Sequence, residues 1–349
     1  MQSLGAIAQH RYTKAVQLPM KIEPEAQPIE ARDRSQANEA DPAFRFAFGP
    51  FLFHSELDIP ELQDNPGSEG IDVTIALGHV PPSLGPGIAA VHGFQITTSE
   101  FLLDVPEVAR YYVAFGSQIR IQIQPQAAIS DITTYLLGSV FGALCHQNGM
   151  LPLHASAIEA DGRVAAFLGD SGAGKSTIVA CLRQRGYSVV SDDICLLEPQ
   201  PPAAALRVAP VAGWLKLWRQ SLDHLGESAE ERHRVYSTDD KFRVYLKQGA
   251  RHRPSLAHLF FIERASEPDA GPHVERLPTI DTIARMMRFT YLEDRVDLAD
   301  YRPRIFHQCA KVLEQACGYR LIVPWGFDRM DAVLDLVQQT ILTPATAPR

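Results

Sequence analysis

Residues 164–185 constrain this chain most. Val164-Ala-Ala-Phe-Leu168 is a short apolar run of strand type. Gly169-Asp170-Ser171-Gly172-Ala173-Gly174-Lys175-Ser176 follows, and Thr177 to Arg185 reads as a helix that Gly186 stops. Glycines at these intervals let the backbone curl until successive N–H groups point inward, and the helix start adds partial positive charge. Lys175 is then placed to reach outer phosphates, and the Ser176 hydroxyl to hold Mg²⁺. The nine residues 169–177 are thus expected to cradle a nucleotide, within an α/β fold.

The chain has 349 residues, room for two domains, and its net charge is −8. That balance speaks against nucleic acid as a partner, because a phosphate backbone calls for a basic surface. The five cysteines (Cys145, Cys181, Cys195, Cys309, Cys317) form no C-x-x-C pair and no zinc-ligand spacing. They read as reduced thiols in a cytoplasmic protein. No signal peptide is legible in residues 1–20, which lack a continuous apolar core. Ile129 to Leu144 is apolar and holds a Gly138/Gly142 G-x-x-x-G pair, but it is short for a bilayer and carries Asp131, Thr133, Thr134 and Ser139. It is expected to be a buried helix of a soluble domain, with no membrane contact.

Three regions are expected. Residues 1–43 are polar and proline-bearing and read as a disordered tail. Residues 44–148 read as a β-rich N-terminal domain, an antiparallel sheet closed by the helix at 129–146. Its strands are Phe44–Phe48, Ile71–Leu77, Phe94–Thr98 and Ile119–Gln124, where apolar and polar residues alternate. Residues 149–349 read as the domain around the glycine loop. There Leu151–Ala160 and Tyr187–Leu197 are expected as single strands, with a tight turn at Asp161-Gly162. Helices are expected at Trp214–Leu225, Asp281–Phe289, Phe306–Cys317 and Asp328–Leu342. Further strands are expected at Phe242–Leu246, Leu256–Glu263 and Arg320–Pro324.

Three groups are expected to converge on the loop. Asp192-Asp193 follows the loop helix in chain order, where a carboxylate on a neighbouring strand can serve Mg²⁺. Two adjacent acids allow two jobs, metal binding and proton abstraction. In a regular strand they point to opposite faces, so joint work needs a strand end or a bulge. His154 precedes the Asp-Gly turn. Lys241 and Arg243, two apart on a strand, share a face and suit a phosphate or substrate.

The stretch Leu151-Pro-Leu-His154-Ala-Ser-Ala-Ile, then Phe167 to Ser176, then Arg185-Gly186-Tyr-Ser-Val-Val-Ser-Asp192-Asp193, resembles the catalytic domain of HPr serine kinase/phosphorylase. That family shares its nucleotide-binding core with phosphoenolpyruvate carboxykinase. The resemblance implies a P-loop kinase core that uses ATP and Mg²⁺. It implies Asp192 as the acid that takes the acceptor proton, Asp193 and Ser176 near the metal, His154 beside the acid, and Lys175 on the transferred phosphoryl group. The family's downstream signature is missing from Pro199–Leu206, which implies an acceptor other than HPr and no efficient phosphorolysis. The layout resembles HPr-kinase-like proteins of ribosomal-peptide tailoring, lasso-peptide kinases among them. The expected partner is therefore a peptide or small protein bearing an acceptor serine, with homo-oligomerisation left open. Two other readings stand beside it: a small-molecule kinase or carboxykinase relative, and a non-catalytic nucleotide-gated binding module. Intact Lys175, Ser176, Asp192 and Asp193 argue against the last.

Overall fold

A computed structural model of the chain describes residues 43–62, 69–86, 88, 93–199, 206–211, 213–230, 232–236, 239–246, 252–267, 270–292 and 301–342. The tail read at 1–43 lies, up to residue 42, outside them, as do residues 200–205 of the proline-rich segment. The described residues form a mixed α/β structure in which no helix is long and apolar enough to cross a membrane. All five cysteines are buried, and none of them forms a disulfide.

A seven-stranded sheet comes first, built from β1 (Phe44–Phe48), β2 (Phe51–Ser55), β3 (Ile71–Leu77), β4 (Phe94–Ile96), β5 (Glu100–Val105), β6 (Ala109–Ala114) and β7 (Gln118–Ile123). Its order is β1-β2-β3-β7-β6-β5-β4. The antiparallel expectation needs correction: β3 pairs in parallel with both β2 and β7. After β3 the chain crosses to the far edge, and the meander β4 to β7 returns it to β3's side. Alternation sends Val73, Ile75, Ile119 and Ile121 inward. The helix that covers this face runs Ile129–Tyr135, a π-helical turn Leu136–Val140, then Phe141–Gln147. Phe141 fits among Phe48, Phe51 and Phe53. The buried Tyr111 donates its hydroxyl to Ile132 O at 3.0 Å.

The second large sheet has six strands, β11 (Ser188–Ser191), β9 (Ala155–Ala160), β10 (Arg163–Leu168), β16 (Ser255–Arg264), β18 (Cys317–Val323) and β17 (His273–Arg276), in that spatial order. β10, β16 and β18 are parallel, and β9 and β17 run against their neighbours. Successive residues of the central strands serve two cores. Val164, Ala166 and Leu168 join the cluster shared with the first sheet. Ala165 and Phe167 pack with the helices Lys175–Gln184 and Met330–Leu342 on the other side. Two small sheets complete the described residues: β8 (Leu151–Leu153) with β12 (Cys195–Leu197) and β13 (Val208–Ala209), and β14 (Trp214–Trp218) with β15 (Lys241–Tyr245).

Several sequence expectations shift here. The expected helix from Trp214 is a strand as far as Trp218, and the helix is Arg219–Leu225. Trp-Leu-Lys-Leu-Trp alternates, and Leu215 and Leu217 bury on one face against the second core. The helix expected to end at Cys317 is Tyr301–Val312, and Cys317 already opens β18. The two long strands Leu151–Ala160 and Tyr187–Leu197 are each broken in the middle, which builds the site.

Candidate active site

The segments 151–160 and 188–197 run side by side and change sheets together. β9 pairs with β11 in the six-stranded sheet, and β8 pairs with β12 in the small one. His154 sits at the break of one segment, and Asp192, Asp193 and Ile194 at the break of the other. Asp193 has φ 72, a left-handed backbone rare for residues other than glycine. This turn resolves the opposed-faces problem: both aspartates line one cavity with His154.

Asp192 is only 8% exposed, and three donors hold it. Its Oδ1 accepts from Ser156 Oγ at 2.5 Å and from Ser176 Oγ at 2.8 Å, and its Oδ2 accepts from the Lys216 backbone N–H at 2.6 Å. Asp193 faces other partners. Lys216 Nζ lies 2.7 Å from its Oδ2, and His154 Nδ1 lies 3.2 Å from its Oδ1. Burial alone would raise the pKa of Asp193. The Lys216 ammonium and His154 outweigh burial and hold this carboxyl well below the usual range. The resemblance implied Ser176 and Asp193 on the metal side; here the Ser176 hydroxyl bonds Asp192, because the left-handed turn carries Asp193 towards His154 and Lys216.

The loop lies between Leu168, the end of β10, and the helix that starts at Lys175. Gly172 has φ 82 and Gly174 φ 108, so a Cβ at either would be strained. Lys175 is 7% exposed, and its Nζ donates to Gly169 O at 2.7 Å and to Asp170 O at 3.2 Å. Burial lowers its pKa to about 8, against the opposing pull of Asp193. Ser171, Gly172, Gly174, Lys175, Ser176 and Thr177 all line the cavity. Asp170 turns to Arg288, at 2.8 and 3.0 Å, and Ala173 N bonds Asp170 O at 3.0 Å within the loop.

The strand pair Lys241 and Arg243 divides. Lys241 lines the cavity, its Nζ 5.7 Å from the Trp218 ring centroid. Arg243 corrects the expectation of a phosphate contact: it is buried, 3.0 Å from Glu61 of the first region, and donates to Thr134 Oγ1 at 2.8 Å. The two side chains share a face, as the spacing demands, but the longer guanidinium is drawn to a buried carboxylate. Of the Gly138/Gly142 pair, only Gly142 has a steric cause, since a Cβ on Gly138 would meet nothing within 4 Å. A Cβ on Gly142 would come within 2.9 Å of the Tyr291 ring, so this glycine makes room for a tyrosine whose hydroxyl lies 3.5 Å from His154 Nδ1.

Sequence reasoning missed Lys216, Tyr291, Arg264 and Trp325. Lys216 had a signal, its place in an alternating run between two tryptophans. The other three are single residues brought in from distant segments, and no local pattern marks them. The cavity that gathers them is about 660 Å³, within the range of ligand sites. Lys175, Lys216, Lys241 and Arg264 line it against Asp192 and Asp193, a balance that favours an anionic ligand.

No family model matches the chain, and no curated protein matches it. Among solved structures it is similar to the Hpr(Ser) kinase/phosphatase from Coxiella burnetii. That match has a TM-score of 0.28 and 12% identity over 55% of this chain and 90% of that one, a likeness too loose to carry an inference.

Proposed function

We propose that this chain is a phosphotransferase. It binds ATP with Mg²⁺ over residues 169–177 and transfers the terminal phosphoryl group to a hydroxyl, that of a serine in a peptide or small protein. One observation carries the reading: the Ser176 hydroxyl, at the head of the loop helix, is bonded at 2.8 Å to the buried Asp192. A loop serine and a strand aspartate are the pair that holds Mg²⁺ in phosphate-loop enzymes. The donor set fits a hard cation. Both groups are oxygens, and Mg²⁺ takes one or two protein oxygens plus phosphate and water. Among the described residues no cluster of three His, Cys, Asp or Glu competes for it. When bound there, Mg²⁺ would offset charge on the phosphates.

The chain's own residues do the rest. The loop N–H groups and Lys175 grip the phosphates, and Lys175 leaves the Gly169 and Asp170 carbonyls to do so. Lys216 and Lys241 face the developing charge of the transferred group. The acceptor hydroxyl enters on the side of His154 and Asp193. Its oxygen bonds to phosphorus as the bond to the bridging oxygen breaks and ADP departs. The proton passes to the His154–Asp193 pair, which acts as a unit because the two groups are in contact. The roles of the two aspartates are therefore exchanged relative to the resemblance: Asp192 with the metal, Asp193 with the proton.

The test is incubation with γ-labelled ATP, Mg²⁺ and serine-bearing peptides. Label on a peptide serine is the expected result. Label on small hydroxyl compounds alone would move the reading to a small-molecule kinase. Nucleotide binding with no transfer to any acceptor would make the chain a binding module.

A further inference from the structure

The loop has two flanks, and they differ in kind. On one stand His154, Asp192, Asp193, Lys216 and Lys241, with Trp218 beside Lys241. The other is formed where β16 and β18 end, at Arg264 and Val323, and continues into Trp325, Phe327 and Met330. Parallel strands deliver these residues to the same side of the sheet as the loop, because β10, β16 and β18 run together and Arg264 is in register with Val323. In open α/β sheets that edge is where ligands lie.

Trp325 stands out on this second flank. It is 67% exposed, level with Phe115 as the highest value among the large apolar residues of the described chain. Its indole stands at the mouth of a charged cavity, with ring surface open to a ligand. Its position is nonetheless fixed from below. Arg264 lies over the ring, 5.0 Å from the centroid. The same guanidinium donates to Pro324 O at 3.0 Å and reaches Gly172 O at 3.5 Å. One arginine head group therefore links the ring to the phosphate loop. Phe327 is held in turn by stacking on His224 at 4.4 Å.

We propose that Trp325 is the stacking platform for the base of the bound nucleotide. This rests on the phosphate-loop reading and deepens it, because it fixes which way the ligand lies. The terminal phosphate must point to the flank that holds the carboxylates, since proton and metal are handled there. The base then leaves in the opposite direction, over the only exposed indole on that side among the described residues. Stacking reads a π-face and not a hydrogen-bonding edge, so the ligand class is a nucleoside triphosphate with preference for the larger purine ring.

Two ligands separate the base from the phosphates: ATP, and inorganic tripolyphosphate, which has no base. Dissociation constants are measured with the full chain in Mg²⁺ for wild type, Trp325→Ala and Trp325→Phe. Wild type is expected to bind ATP more tightly than tripolyphosphate. Trp325→Ala should weaken ATP by roughly 5- to 150-fold, the range for loss of a base–aromatic stack. It should leave tripolyphosphate within about two-fold, and Trp325→Phe should recover most of the ATP affinity because it keeps a π-face. Equal loss for both ligands, or no loss for either, overturns the platform while the phosphate site stands. So does wild type that binds tripolyphosphate as well as ATP. A selective loss of ATP in Trp218→Ala instead would put the base on the other flank. Wild type that binds neither ligand removes the phosphate-loop reading itself and the platform with it.

Discussion

The first sheet and the cavity region use charged residues in opposite ways. In the sheet, Asp104 pairs with Arg110 at 2.6 Å across neighbouring strands, and His54 meets Asp72 at 2.7 Å, with both pairs reaching solvent. Such pairs keep their water and change little when broken. Around the cavity, Lys175, Asp192, Lys216 and Arg243 are all buried. Burying charge is costly unless something specific compensates. For Arg243 the compensation is Glu61 and the pair is structural. For Lys175 the hydrogen-bond partners are two neutral backbone carbonyls, and the carboxylates of Asp193, Asp192 and Asp170 attract it without a direct bond. A buried charge set against an opposite buried charge ties two segments of the fold together, whereas one held by neutral carbonyls can exchange them for an anion.

The largest effect should come from the charge that only carbonyls hydrogen-bond. Lys175→Ala should lower phosphoryl transfer by at least about 10³-fold, since one lost charge-stabilising donor already costs roughly 10²–10³ and this residue also holds the nucleotide. Its circular dichroism and melting should stay near wild type. Transfer at a normal rate would mean that the lysine is a structural charge like Arg243.

The two aspartates should separate next. Asp193→Asn should reduce turnover by about 10²–10⁴, the usual value of a proton-accepting group, with a smaller change in Mg²⁺-ATP affinity. Asp192→Asn should instead weaken Mg²⁺-dependent binding, because its carboxylate stands beside Ser176. Rate and binding measured on both variants decide the matter. The reverse pattern would restore Asp192 as the proton acceptor.

Arg243→Met should destabilise the protein by about 3–5 kcal/mol, because Glu61 would be left buried without its partner. Arg110→Met, at an exposed pair, should cost under about 1 kcal/mol. Denaturant melts of the two variants sharpen the contrast, and equal costs would erase it.

The smallest effect is on pH. Lys175 sits at about 8, below its ordinary value, because of burial. A phosphate favours the ammonium form, so above that pH the protein must take up a proton to bind. Triphosphate affinity should therefore fall as pH rises beyond about 8, by at most about ten-fold per pH unit. The stability contribution has the opposite sign. The unfolded lysine keeps its proton up to its higher ordinary pKa, so across that window the unfolded state binds more protons and folding gains with rising pH. Calorimetry above pH 8 in buffers of different ionisation heat should register the proton uptake; its absence would mean that the lysine stays charged in the free protein.

What the sequence made legible was contiguous. The strand, the glycine loop and the helix at 163–184 sit within a residue or two of expectation, because glycine spacing and apolar runs encode them locally. The breaks at His154 and Asp193 were not legible, since each segment alone reads as one strand-like run. Only their joint change of sheet shows why a histidine and two aspartates interrupt them. Lys216 was hidden by a run that also suits a helix. Arg243 was misread because spacing gives a face but not the partner, and Glu61 lies 182 positions away in chain order. Gly142 became intelligible only with Tyr291 against it.

The central claim is that the cavity over residues 169–177 is a nucleotide site. Isothermal titration of the full chain with ATP, in Mg²⁺ and again in a chelator, tests it most directly. The account predicts saturable binding of one nucleotide per chain in Mg²⁺, and clearly weaker binding once the metal is removed. No binding in either condition, or affinity indifferent to Mg²⁺, would contradict it.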